Sequence, residues 1–138
     1  MKRHKWISRS KPLRKKRPRR VERKTAEQQA YTAWVHTRPC VGRRSFGGGM
    51  SGVQPHRCEG PIQQSHGRNL DGVTGLGLKP NDMDSVAMCA GLHAEWEQRR
   101  GHFDGWDKEE RRAWFLERIV EENAAFRMNR LDDCADCA

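Results

Sequence analysis

The chain has no long apolar run. Nowhere in its 138 residues does a stretch approach the roughly 18 apolar residues of a membrane-spanning helix. The basic N-terminus is not followed by the apolar segment of a secretory signal. Both absences lead to the expectation of a cytoplasmic protein. Apolar residues are scarce overall, 35% of the chain against 33% charged. A core built from them alone would be thin, so the fold needs a staple.

Also lacking is an even set of cysteines. There are five, Cys40, Cys58, Cys89, Cys134 and Cys137, and in a reducing compartment these are thiolate ligands in waiting more readily than disulfide partners. Acidic residues, finally, are almost missing from the N-terminus. Residues 1 to 24 hold 13 of the 27 Lys and Arg but only one of the 18 acids, Glu22, which leaves the rest of the chain slightly acidic. The net charge of +9 therefore belongs to a tail. Its run KPLRKKRPRR, with prolines breaking up the basic residues, has nothing to bury and suits a segment that neutralises phosphates. The candidate nucleic-acid contacts are Lys2, Arg3, Lys5, Arg14, Lys15, Lys16, Arg17, Arg19 and Arg20, and the bland alternative is a solvated or localising tail.

What is present beyond residue 24 reads as one small α+β domain over residues 25 to 130, followed by a short tail over 131 to 138. Thr25, with Gln28 three residues later, makes a capping-box start for a helix carrying Tyr31, Trp34 and Val35 on one face, and Pro39 ends it. Residues 41 to 60 are rich in glycine and are expected to form an irregular loop between Cys40 and Cys58. PIQQSHGR suits a short strand ending at Ser65 and His66, followed by a connection where Gly72, Gly75 and Gly77 permit tight turns. A second strand has no placement. Ser85 is expected to cap a helix from about Val86 to Arg99, stopped by Gly101. Asp107 and Glu110 open the last helix, with Phe115, Leu116, Ile119, Val120 and Phe126 as its apolar stripe. Trp96 and Trp106 are expected in the core, and Asp82 and Asp84 as loop acids or helix N-terminal charges.

Structural zinc takes four Cys or His ligands, usually from two short segments. Cys40 and Cys58 are candidates for one segment, and Cys89 with His93, four residues on along the expected helix, for the other. His56, two residues before Cys58, is a rival, and Cys134 and Cys137 are a further Cys-x2-Cys pair.

The motifs AWVHTRPC, CEGPIQQSHGR, GLGLKPND and MCAGLHAEW, in that order, resemble small HNH endonucleases of the ββα-metal fold. The likeness is greatest to the phage-encoded branch that includes recombination-enhancing nucleases, and it spans roughly residues 30 to 106. The resemblance implies a metal-dependent DNA endonuclease of low sequence preference, acting in a host cytoplasm, with a recombinase or a phage packaging (terminase) component as a further partner. It implies His66 as general base, a structural Zn²⁺, and a catalytic Mg²⁺ or Mn²⁺ held by the residue before the base and by one on the helix. Two positions depart from the family. Ser65 stands where Asp or His is usual, and Leu92 stands at the second zinc position of the helix. If His93 serves the catalytic ion, zinc needs His56, Cys134 or Cys137. If His93 serves zinc, Glu97 offers a carboxylate to the catalytic ion, and this arrangement is preferred because it matches each metal to suitable donors. The alternative is a catalytically weak or inactive zinc-containing DNA-binding module on the same scaffold.

Overall fold

The computed structural model describes residues 23–47, 55–67 and 81–135. The basic tail residues from Lys2 to Arg20, the turn glycines Gly72, Gly75 and Gly77, Cys137 and the side chain of Cys134 lie outside the described residues.

Helix α1 spans Ala26–Val35 and starts as its sequence dictates. The Thr25 hydroxyl accepts from the Gln28 N–H while the Gln28 side chain accepts from the Thr25 N–H, so two otherwise orphaned donors are satisfied reciprocally. Tyr31 and Val35, one turn apart, are fully buried.

The segment after Pro39, expected to be an irregular loop, begins instead with a short helix α2 over Val41–Phe46. The Cys40 sulfur caps it by accepting from the Gly42 N–H at 3.4 Å, and Val41 and Gly42 are buried. Sulfur capping and burial of the first turn outweigh the low helix propensity of glycine here.

Strand β1, Ile62–His66, lies where the sequence places it. It pairs antiparallel with β2, Ser85–Cys89, in a register running from Ile62 opposite Cys89 to His66 opposite Ser85. Residues 85 to 89 were expected to be a helix cap and first turn, and this is corrected by the structure. All five β2 residues are buried, covered on both faces, so the strand shows no alternation of polarity to mark it in the sequence.

Helix α3 therefore starts later, at Ala90–Gln98, with Cys89 as its extended N-cap. It ends in a left-handed residue, Arg99 at φ 53°, and not in Gly101, which opens a 3-10 turn over Gly101–Phe103. Helix α4, Lys108–Ala135, starts on the expected box, with Asp107 and Glu110 exchanging backbone-to-carboxylate bonds of 2.8 Å. It continues through residues 131 to 135, which had been set apart as tail.

Two apolar clusters flank the hairpin. One joins Cys40, Val41, Val86, Met88, Leu92, Trp96, Phe103, Phe115 and Ile119, with Trp106 and Trp114 partly buried against it. The other joins Tyr31, Val35, Ala87 and Phe126. The few aromatics are concentrated rather than scattered: Trp96 stacks on Phe115 at 5.2 Å and meets Phe103 edge-on at 5.0 Å, a geometry that adds to area burial. Between α1, α2 and α4 the fully buried carboxylate of Glu122 takes ion pairs from Arg38 and Arg44. The result is a mixed α+β unit around a two-stranded hairpin. No helix among the described residues is long and apolar enough to cross a membrane.

Candidate metal centre

Three elements meet at the end of the hairpin where Cys89 pairs with Ile62. The N-cap of α2 supplies Cys40, the segment leading to β1 supplies His56 and Cys58, and the β2–α3 corner supplies Cys89. One ligand atom from each of the four lies within 4.8 Å of all the others. The His56 Nε2 is 3.5 Å from the Cys40 sulfur, 3.5 Å from that of Cys58 and 3.4 Å from that of Cys89. Tetrahedral zinc, with Zn–S near 2.3 Å and Zn–N near 2.0 Å, sets S···N edges of about 3.6 Å and S···S edges of about 3.8 Å. The three S···N distances fit that figure, and this Cys3His group could hold a structural metal such as zinc.

Hydrogen-bond donors surround the sulfurs. The Cys40 sulfur accepts from the N–H groups of Gly42 at 3.4 Å and Cys89 at 3.3 Å, and the Cys89 sulfur accepts from the Leu92 N–H at 3.4 Å. Cys58, the exposed member, accepts from the Arg43 guanidinium at 3.3 Å. Each sulfur thus has at least one donor to spread its negative charge. In the absence of a cation, burial pushes the Cys40 thiol up to about 12, with the neighbouring sulfurs adding to the rise, so an ion is what makes a thiolate affordable there. Burial, followed by the nearby His102, holds the His56 imidazole below its ordinary value; it stays neutral and keeps a lone pair for a metal.

Packing around the group is tight. A Cβ at Gly42 would come within 2.6 Å of the His56 ring and 2.8 Å of the Leu92 side chain, so only glycine lets α2 approach this closely.

Three of the four expected zinc ligands, Cys40, Cys58 and Cys89, are brought together here. His93 is not with them. Its Nδ1 lies 2.7 Å from the Gln63 side-chain oxygen and its Nε2 3.6 Å from the Glu97 carboxylate. The four-residue spacing misleads because Cys89 has extended backbone, φ −66° and ψ 158°, and its sulfur is turned inward to cap α3. It does not share a helical face with His93. His56 takes the fourth place, and its signal in the sequence is the His-x-Cys pair directly upstream of β1.

His66 sits at the far end of the same hairpin, half-buried, with Nε2 3.3 Å from one oxygen of Asp82. The other Asp82 oxygen lies 2.9 Å from the Lys24 ammonium. Asp82 is therefore more than a loop acid. Burial alone would raise its carboxyl, but hydrogen bonds from Lys24 and His66 outweigh that and hold it below the ordinary value. The preceding residue, Ser65, is fully buried and its hydroxyl has no hydrogen-bond partner. By strand alternation it shares a face with Gln63, which contacts His93 of α3.

Among the described residues, the Cys3His group is the one set of three or more His, Cys, Asp or Glu side chains close enough to share an ion. No family model, curated protein or solved structure matches the chain.

Proposed function

We propose that the chain is a zinc-stapled DNA endonuclease of the HNH type, hydrolysing phosphodiester bonds with little sequence preference. The observation that carries this reading is His66, held at the end of the first strand of a hairpin-then-helix unit by a buried, ionised aspartate. With its Nε2–H donated to Asp82, neutral His66 carries its lone pair on Nδ1, the form needed to take a proton from water. Asp82 then stabilises the imidazolium, much as a carboxylate orients and supports other catalytic histidines. Hydroxide attacks phosphorus and the opposite P–O bond to a sugar oxygen breaks, that oxygen leaving as an alkoxide that takes a proton from water. The basic residues before Thr25 supply affinity for the phosphate backbone without reading bases.

The divalent ion implied by this chemistry would draw on His93 and Glu97 of α3, whose side chains lie 3.6 Å apart, with the rest of its coordination supplied by water and substrate phosphate. Such an ion supplies charge stabilisation at the phosphoryl oxygens when bound.

The test is plasmid nicking with Mg²⁺ or Mn²⁺ at matched zinc content. Replacement His66→Ala should lower the rate by about 10²-fold or more while leaving DNA binding intact. Equal cleavage by wild type and variant removes His66 as the base.

A second reading has its own support. Ser65 offers a neutral hydroxyl where a carboxylate or imidazole would grip a cation better, which suits a zinc-containing DNA-binding module without catalysis. Tight, salt-sensitive DNA binding with no cleavage under either ion favours that module.

A further inference from the structure

Helix α4 shows two faces of equal regularity. Phe115, Ile119, Glu122 and Phe126 are buried against the body of the protein. Turned away from them, Ala113, Glu117, Val120, Ala124, Arg127 and Leu131 are exposed and follow one another at alternating steps of four and three residues. Val120 and Leu131 are 69% and 65% exposed, and Met128, at the border of the stripe, 62%. Large apolar side chains this open, in a chain so short of them, form the spacing of a coiled-coil seam.

We propose that this seam is occupied by the same seam of a second copy, running antiparallel. The two charged residues on it choose the partner and the direction. Setting Val120 opposite the partner's Ala124 places Glu117 opposite the partner's Arg127 and Ala113 opposite the partner's Leu131, and the twofold repeats every pair. Each large residue thereby meets a small one, and each charge meets its opposite. A parallel pairing in register would stack Glu117 on Glu117 and Arg127 on Arg127, which like-charge repulsion opposes. The patch is thus self-complementary under a twofold axis, the requirement for an isologous dimer. Its length, about 27 Å at 1.5 Å per residue, is five helical turns. In the single chain Glu117, 64% exposed, pairs with its neighbour Arg118 at 2.9 Å, a surface contact worth little and readily exchanged.

Sedimentation velocity of the full, zinc-loaded chain over a broad concentration range tests the assignment. A reversible monomer–dimer equilibrium is expected. Leu131→Glu should weaken it by about tenfold or more, and so should the single reversals Glu117→Arg and Arg127→Glu, which set like charges face to face. The double reversal Glu117→Arg with Arg127→Glu restores opposite pairing and should return the dimer to within about threefold of wild type. All these positions are exposed, so zinc content, and the thermal transition at concentrations where the wild type is monomeric, should not change, which separates loss of pairing from loss of fold. A wild-type chain that stays monomeric, single reversals without effect, or a double reversal no better than the singles would each overturn the antiparallel dimer.

Discussion

The two ends of the β1–β2 hairpin are built on different physics. At the Cys89–Ile62 end, three sulfurs and an imidazole from three elements converge on one point. At the His66–Ser85 end, four residues or about 13 Å along the strand, the parts are fastened by hydrogen bonds. Tyr31 donates to the Ser85 carbonyl at 2.7 Å, Gln64 reaches the Ser85 hydroxyl at 2.9 Å, and Asp82 bridges His66 and Lys24. A chain poor in apolar residues that held a metal at one end would have its strongest bonds there, and it leaves the other end polar. A staple of that kind would keep the hairpin from fraying around a half-buried histidine.

The hardest blow to this contrast would be a protein that folds without its ion. Structural zinc contributes on the order of 10 kcal/mol in small domains, more than a domain's usual net stability. Purified protein should carry about one equivalent of zinc, since a tetrahedral Cys3His set takes one ion. Cys89→Ser should abolish both the zinc and the cooperative thermal transition, whereas His66→Ala should keep both. Metal analysis with calorimetry reads the outcome. A cooperative transition in metal-free Cys89→Ser would mean that the two ends do not differ in kind.

Next in size is the choice between two histidines. His56→Ala should lower zinc affinity by well over 100-fold, because outer partners of metal ligands alone are worth about 10–100-fold. His93→Ala, which removes contacts to Gln63 and Glu97, should leave it nearly unchanged. Competition with a chromophoric chelator measures both. The reverse order would move the fourth ligand back to α3.

That pair also marks how far the sequence could be read. Caps were legible because they depend on two residues at fixed spacing, as in Thr25 with Gln28 and Asp107 with Glu110. The three cysteines of the cluster were legible because thiolates in a core-poor chain have few other uses. His56 was visible only as a rival, since its approach to Cys89 depends on a glycine-rich segment whose path no local rule specifies. Strand β2 was invisible because five consecutive buried residues ending against a helix carry no period. Once Cys89 was taken as helical, His93 followed by the four-residue rule, so one misplaced boundary put the wrong histidine in the cluster. The His66–Asp82 pair was missed for a different reason: its two members are joined by the tertiary fold, and an aspartate ahead of a strand looks like any loop acid.

The polar end can be loosened by a smaller change. Tyr31 is fully buried, and burial, reinforced by Glu122, holds its hydroxyl proton well above the ordinary phenol range, so it remains a donor throughout the neutral range. Tyr31→Phe leaves the Ser85 carbonyl without this partner and should cost about 1–3 kcal/mol in urea denaturation of the zinc-loaded protein, with zinc affinity unaltered. A matching fall in zinc affinity would show that the two ends are mechanically coupled.

The least effect is expected at Lys24, the last basic residue of the N-terminal run, which reaches the body of the protein at Asp82. Its ammonium lies 2.9 Å from Asp82, but its side chain is 38% exposed while that of Asp82 is 7% exposed. Water therefore screens the cation more than the anion, and ion pairs of this type are worth below about 1 kcal/mol. Lys24→Gln should destabilise by no more than that, and raising the salt concentration toward 1 M, where the screening length falls to about 3 Å, should erase most of the difference. Asp82 keeps its contact with His66 in the variant, so its carboxylate is not stranded. A loss above about 2 kcal/mol that persists in high salt is the behaviour of a buried pair with one partner removed. It would make the His66 end an electrostatic clamp comparable in strength to a metal site, with Lys24 as one of its jaws.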